Sequence, residues 1–184
     1  MGVTIHYRGN LDKLEALPKL LDELTDIARS MRWECRRIET DADNHEFNGV
    51  VISPGNGCES LTFLFDRQGH LRNIADLIAN QVEPDPQSSF YVSVKTQFAP
   101  IKTHIWIIGL LRYLKKTYLT NLKVTDEGGF LETGNSETLA EKRRFLQGKI
   151  DLISSGLEES VHPIKNIDDL VAEIERIVRD GNKR

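Results

Sequence analysis

Phe47-Asn48-Gly49-Val50-Val51-Ile52-Ser53-Pro54-Gly55-Asn56-Gly57-Cys58-Glu59-Ser60-Leu61-Thr62-Phe63-Leu64-Phe65-Asp66 holds two runs rich in β-branched and aromatic residues around a Gly-rich loop. Phe47 to Ser53 and Leu61 to Asp66 read as strands, the second with Leu61, Phe63 and Phe65 on one face. Trp33 to Thr40 is a third run just upstream, separated by the polar loop 41–46. Successive short strands with polar or Gly-rich connections point to an antiparallel meander. Outward from it, Val3 to Arg8 alternates apolar with polar and reads as a half-buried strand ended by Gly9. Phe90, Val92 and Val94 mark another strand, and Leu122 to Thr125 with Phe130 to Thr133 reads as a hairpin around Asp126-Glu127-Gly128-Gly129.

Helical periodicity appears where strand alternation stops. After Asn10, leucines recur at 11, 14, 17, 20, 21 and 24, followed by Ile27, Ala28 and Met31. Pro18 predicts either a kink or a short first turn followed by a main helix with proline in an early position. Leu71 to Val82 has a helical pattern. Pro100 opens a strong helix to about Tyr118, apolar over more than one stripe and so expected to pack on two sides. Beyond Gly134, Leu139, Leu146, Ile150, Ile153 and Leu157 follow near-heptad spacing, and Ile167, Leu170, Val171, Ile174, Ile177 and Val178 repeat the idea, so a helical hairpin is expected. The fold class is α+β: a largely antiparallel sheet of about five to seven strands, with packed helices and a C-terminal helical hairpin. The 184 residues are read as one domain, with the hairpin at about 136–180 as an arm.

Composition narrows function mostly by exclusion. Apolar residues make up 39% and charged residues 28%, which fits neither a disordered chain nor a membrane protein, and no apolar stretch approaches the roughly 20 residues of a bilayer span. The N-terminus lacks the pattern of a secretory signal, so a cytoplasmic protein is expected, with Cys35 and Cys58 as free thiols. A net charge of −4 disfavours nucleic acid and anionic membranes.

Short motifs are missing. Pro54 to Ser60 lacks the Lys-Ser/Thr of a phosphate loop and joins two strands, so it reads as a turn. Cys58 in that turn has Glu59 beside it, which opposes a reactive thiolate. The loop 41–46 is rich in oxygen donors but has Glu46 where a calcium loop needs glycine. The five histidines, at 6, 45, 70, 104 and 162, show no metal-binding spacing, so neither metal nor cofactor is expected. His104, set among Ile101, Ile105 and Ile108, reads first as a hydrogen-bonded core histidine.

The most suggestive polar groups are Lys95 and Gln97, at a strand end, and Asp126, Glu127, Glu132 and Asn135, in and after the next turn. The helix between these regions is expected to bring them together with His104 at the margin, gathering a cation, amides and carboxylates into a binding site. Much of the span from Leu61 to Asn135, especially Lys95-Thr96-Gln97-Phe98, the helix from Trp106 to Tyr118, and Asp126 to Asn135, resembles a family of uncharacterised bacterial proteins. That resemblance implies a bacterial, cytoplasmic protein and carries over neither an activity nor a site residue. The leading expectation is a binding or regulatory module, with a homodimer through the C-terminal helices. The alternative is a small hydrolase or transferase whose site is assembled from residues distant in sequence, such as His104, Glu127 and Glu132.

Overall fold

The computed structural model describes residues 2–38, 47–73, 91–160 and 166–181. The chain divides into two compact units, 1–139 and 140–184.

The first unit is α+β with antiparallel strands, as the alternation predicts, and its strands form two sheets. Strand β1 (Thr4–Arg8) is the middle of a three-stranded sheet, and four more strands form the meander: β2 (Glu34–Ile38), β3 (Asn48–Ser53), β4 (Leu61–Phe65) and β5 (Leu71–Arg72). The neighbours of β1 are β6 (Val92–Lys95) and β7 (Lys123–Asp126), both antiparallel to it. Alternation along β1 buries Ile5 and Tyr7 and leaves Thr4, His6 and Arg8 part-exposed, whereas all five residues of β4 are buried.

Several bonds tie the two sheets together. Leu71 N–H donates to Gly9 O at 2.9 Å. The buried Tyr7 hydroxyl donates to Thr62 O at 3.0 Å and accepts from Thr62 N–H at 3.2 Å. Lys95 N–H donates to a Glu59 carboxylate oxygen at 2.8 Å, and Glu59 N–H returns a bond to Lys95 O at 3.0 Å. The outer edge of β6 is thereby occupied by the loop that precedes β4.

Helix α1 (Leu17–Ser30) follows a 3₁₀ turn at Leu14–Ala16 and holds Pro18 in its first turn, where the missing N–H has no intrahelical role. It buries Leu20, Leu21, Leu24 and Ala28 and packs on β2 and β3. Each leucine taken out of water there stabilises the fold by about 1.5–3 kcal/mol. Helix α2 (Ile101–Thr117) buries His104, Ile107, Ile108, Leu110, Leu111 and Leu114. It does not pack on two sides as expected: Trp106 is 56% and Tyr113 41% exposed, so one broad face is covered.

Two local readings are corrected. Leu71 begins a strand, paired Phe65↔Leu71, rather than a helix; the rest of that stretch, from 74, lies outside the described residues, as does the loop 41–46. Phe130 to Thr133 is not a hairpin arm but the short helix α3 (Phe130–Thr133), flanked by Gly129 and Gly134 in left-handed conformations. Gly129, one of the two glycines that suggested a hairpin turn, begins this helix, and β7 takes its partner from β1 instead.

Helix α4 (Ser136–Glu158) starts in the first unit, where Leu139 is fully buried. In the second unit its later turns pair with α5 (Ile167–Gly181), giving the expected C-terminal helix pair. Gly156 permits the approach, since a Cβ there would lie 2.7 Å from Ile177 Cγ2. Buried Glu173 accepts from Ser160 at 2.6 Å and from Arg176 at 2.7 Å. Among the described residues no helix is long and apolar enough to cross a membrane.

Candidate functional site

The three-stranded sheet has a covered and an open face, and each carries a hydroxyl, an imidazole and a carboxylate in sequence. On the covered face, Thr96 extends β6 by one ladder bond, its N–H donating to Val3 O at 2.9 Å. Its hydroxyl lies 2.7 Å from His104 Nδ1 and 3.2 Å from Val3 O. His104 Nε2 stands 3.1 Å from Asp126 Oδ1, near enough for charge attraction but off the line of a hydrogen bond. Neither side chain of that pair meets solvent, and Thr96 is fully buried too.

Asp126 anchors this chain. Its carboxylate accepts Gly128 N–H at 2.6 Å and Leu131 N–H at 2.9 Å, which also shapes the turn into α3. Desolvation pushes the carboxyl up most strongly, but His104 and the two backbone donors together outweigh it and hold the group below the ordinary range. A carboxylate so placed requires a proton on the facing Nε2. The Thr96 hydroxyl then either donates to Nδ1 of a neutral ring or accepts from a doubly protonated one while donating to Val3 O. Gly128 makes room: a Cβ there would sit 2.9 Å from Asp126 Oδ1, 3.0 Å from His104 Cε1 and 2.6 Å from Leu139 Cδ1. Sealed from solvent, this arrangement fastens α2 to the sheet.

The open face is a three-by-three array set by the register. Lys95 pairs with Thr4 and Ser93 with His6 on one side; Thr125 pairs with His6 and Lys123 with Arg8 on the other. Tyr91 and Glu127 complete it at the ends of their strands, Glu127 N–H donating to Thr4 O at 3.0 Å. His6 is central. Its Nδ1 is 2.8 Å from Ser93 Oγ, its Nε2 is 3.6 Å from Glu127 Oε1, and its ring meets Tyr91 edge-on at 6.4 Å. The Arg8 guanidinium lies 4.4 Å over the Tyr91 ring, and Lys95 Nζ lies 5.6 Å from the Phe98 ring. Side chains here reach water, His6 at 30% and Glu127 at 39% exposure. Among the described residues, Lys95, Arg8 and Lys123 share this face with the Glu127 carboxylate, in a chain of net charge −4.

The residues singled out from sequence are distributed around this sheet. Lys95 and Glu127 flank Thr4 on the open face, and His104 and Asp126 meet on the covered one. Gln97 is buried, with Oε1 3.2 Å from the position of a Cβ on Gly2. Glu132 is exposed on α3. Asn135 Oδ1 accepts Glu137 N–H at 2.9 Å and so helps start α4. Sequence reasoning missed His6, Arg8 and Ser93, and it included Thr96 only as part of the stretch Lys95-Thr96-Gln97-Phe98, with no role of its own. The alternation of Val3 to Arg8 already places His6 and Arg8 on the polar side of a strand, but no local signal tells that Ser93, 87 residues away, lies opposite.

Cys35 and Cys58 are free, and burial together with Glu59 pushes the Cys58 thiol up to about 11, which suits packing rather than nucleophilic attack. Among the described residues no three His, Cys, Asp or Glu side chains converge as a metal site would require. Comparison with protein-family models, with curated proteins and with solved structures finds no match to this chain.

Proposed function

We propose that the chain is a binding module that recognises an anionic group on a small ligand with the open face of its three-stranded sheet. The Arg8 guanidinium, 4.4 Å over the Tyr91 ring beside His6, carries this reading. Contact with the ring restrains the guanidinium before a ligand arrives, which reduces the entropy lost on binding, and a guanidinium suits carboxylate or phosphate oxygens. Lys95 and Lys123 add charge at the rim, while Ser93 and Thr125 offer hydroxyl donors to the same ligand.

The test is a titration of the full chain with inorganic phosphate, followed by amide NMR, at concentrations up to about 10 mM, where a weak site of millimolar Kd is half-filled or more. Shifts confined to His6, Arg8, Ser93 and Thr125, and lost in Arg8→Gln, are expected. Absence of any shift on this face removes the reading.

A second reading, self-association through α4 and α5, is favoured by large apolar side chains left exposed there: Phe145 at 61%, Ile167 at 76% and Val171 at 51%. Light scattering then returns a dimer mass. The 20.9 kDa monomer mass at high micromolar concentration would end this reading.

A further inference from the structure

We propose that Ser93, His6 and Glu127 form a hydrolytic centre that cleaves an ester carrying an anionic group; the substrate class rests on the anion-binding reading above. Ser93 Oγ is 2.8 Å from His6 Nδ1, within reach for direct proton transfer, and Glu127 Oε1 stands 3.6 Å from the opposite ring nitrogen. Ser93 and His6 stand opposite each other on paired strands, and Glu127 follows the last residue of β7, held to the sheet by its N–H bond to Thr4 O, so the sheet sets most of their spacing. The same order of hydroxyl, imidazole and carboxylate recurs on unrelated folds and is recognised by geometry and role. Unlike the Thr96, His104 and Asp126 set beneath the sheet, this one reaches solvent.

In the first step His6 Nδ1 takes the Ser93 hydroxyl proton as Oγ bonds to the ester carbonyl carbon. The tetrahedral adduct collapses, the C–O bond to the alcohol breaks, and His6 returns the proton to the departing alkoxide oxygen. Water then attacks the acyl-serine while His6 accepts its proton. The carboxylic acid leaves as the proton passes back to Ser93 Oγ. Glu127 is a positioning residue: it favours the tautomer with hydrogen on Nε2 and stabilises the imidazolium formed in each half. Lys95, two residues along β6 from Ser93, and Arg8, two along β1 from His6, supply positive charge on the face where the oxyanion develops.

The experiment treats the full-length chain with a fluorophosphonate, which phosphonylates activated serines, and reads intact mass and the labelled peptide alongside the phosphate titration. Expected is a single adduct on Ser93, absent in Ser93→Ala and formed about 100-fold more slowly in His6→Gln. Glu127→Gln slows labelling while leaving the phosphate-induced amide shifts in place, which a purely structural role for Glu127 would not produce. The hydrolytic centre is overturned by no adduct on Ser93, or by labelling as fast in His6→Gln as in the parent. If phosphate still shifts the open-face amides in that case, anion binding stands alone. If neither labelling nor shifts occur, both readings fall. Labelling of Ser93 without phosphate shifts supports the nucleophile and overturns the anionic substrate.

Discussion

Asp126 and Glu127 are consecutive residues, yet the pleat sends one carboxylate beneath the three-stranded sheet and the other above it. Below, Asp126 has no exposure, two backbone donors and an imidazole within 3.1 Å. Above, Glu127 is 39% exposed and 3.6 Å from its histidine. Thr96 and Ser93 repeat the division along β6, one fully buried against His104 and the other exposed beside His6. The same three chemical groups therefore meet two solvents. Where water is excluded, each polar atom depends on its protein partner, and losing that partner leaves a desolvated group behind. Where water is present, it replaces any lost partner at little cost.

The largest expected break in this comparison is Asp126→Ala, which leaves the Gly128 and Leu131 amides without their acceptor and His104 without its facing charge, and destabilises the fold by about 3–5 kcal/mol. Glu127→Ala should change stability by no more than about 0.5 kcal/mol. Urea unfolding of the two variants measures both, and equal losses would mean that the faces do not differ as described. Gly128→Ala comes next, at about 1–3 kcal/mol, because its methyl group would press against Leu139, Asp126 and the His104 ring. A midpoint unchanged from the parent would show that the pocket around Asp126 yields.

The hydroxyl pair sharpens the contrast. Thr96→Val keeps shape but removes the partner of His104 Nδ1, at a cost of about 1–2 kcal/mol, whereas Ser93→Ala should stay within about 0.5 kcal/mol. The smallest effect is the share of acid sensitivity due to Asp126. Its carboxyl titrates below the ordinary value in the folded state, so the stability it adds is present above the unfolded value of about 3.9 and is lost as pH falls through the folded value. Asp66 behaves likewise: burial raises it most, but the His70 amide and Arg72 outweigh that effect and depress it. Stability measured from pH 6 to pH 2 should therefore fall less steeply in Asp126→Asn than in the parent. Identical acid limbs would remove Asp126 as a contributor.

Periodicity made much of this fold legible. Leucines at 20, 21 and 24 with Ala28 trace the buried stripe of α1, and Pro18 takes the early position that its geometry allows. The meander from β2 to β4 was readable because each strand follows its partner directly. The turn after β7 was not, since a glycine suited to a hairpin serves equally at the start of a helix, and the choice is made by the Asp126 carboxylate capturing two amides. Among the site residues, Lys95, His104, Asp126 and Glu127 were visible as polar groups at strand ends or on an apolar helix. Their assignment to opposite faces was not, because it depends on β1 pairing with two strands some 90 and 120 residues downstream. His6 and Ser93 attract no notice until that register is known.

The Tyr7 hydroxyl spans both backbone groups of Thr62, joining the middle strand of one sheet to an all-buried strand of the other. Neither sheet can loosen locally without surrendering that bridge. The amide of Thr62 should accordingly exchange its hydrogen for deuterium only through whole-unit opening, on the slowest timescale the first unit displays. Replacing the phenol with Phe at position 7 would split that single slow class into two, one for each sheet.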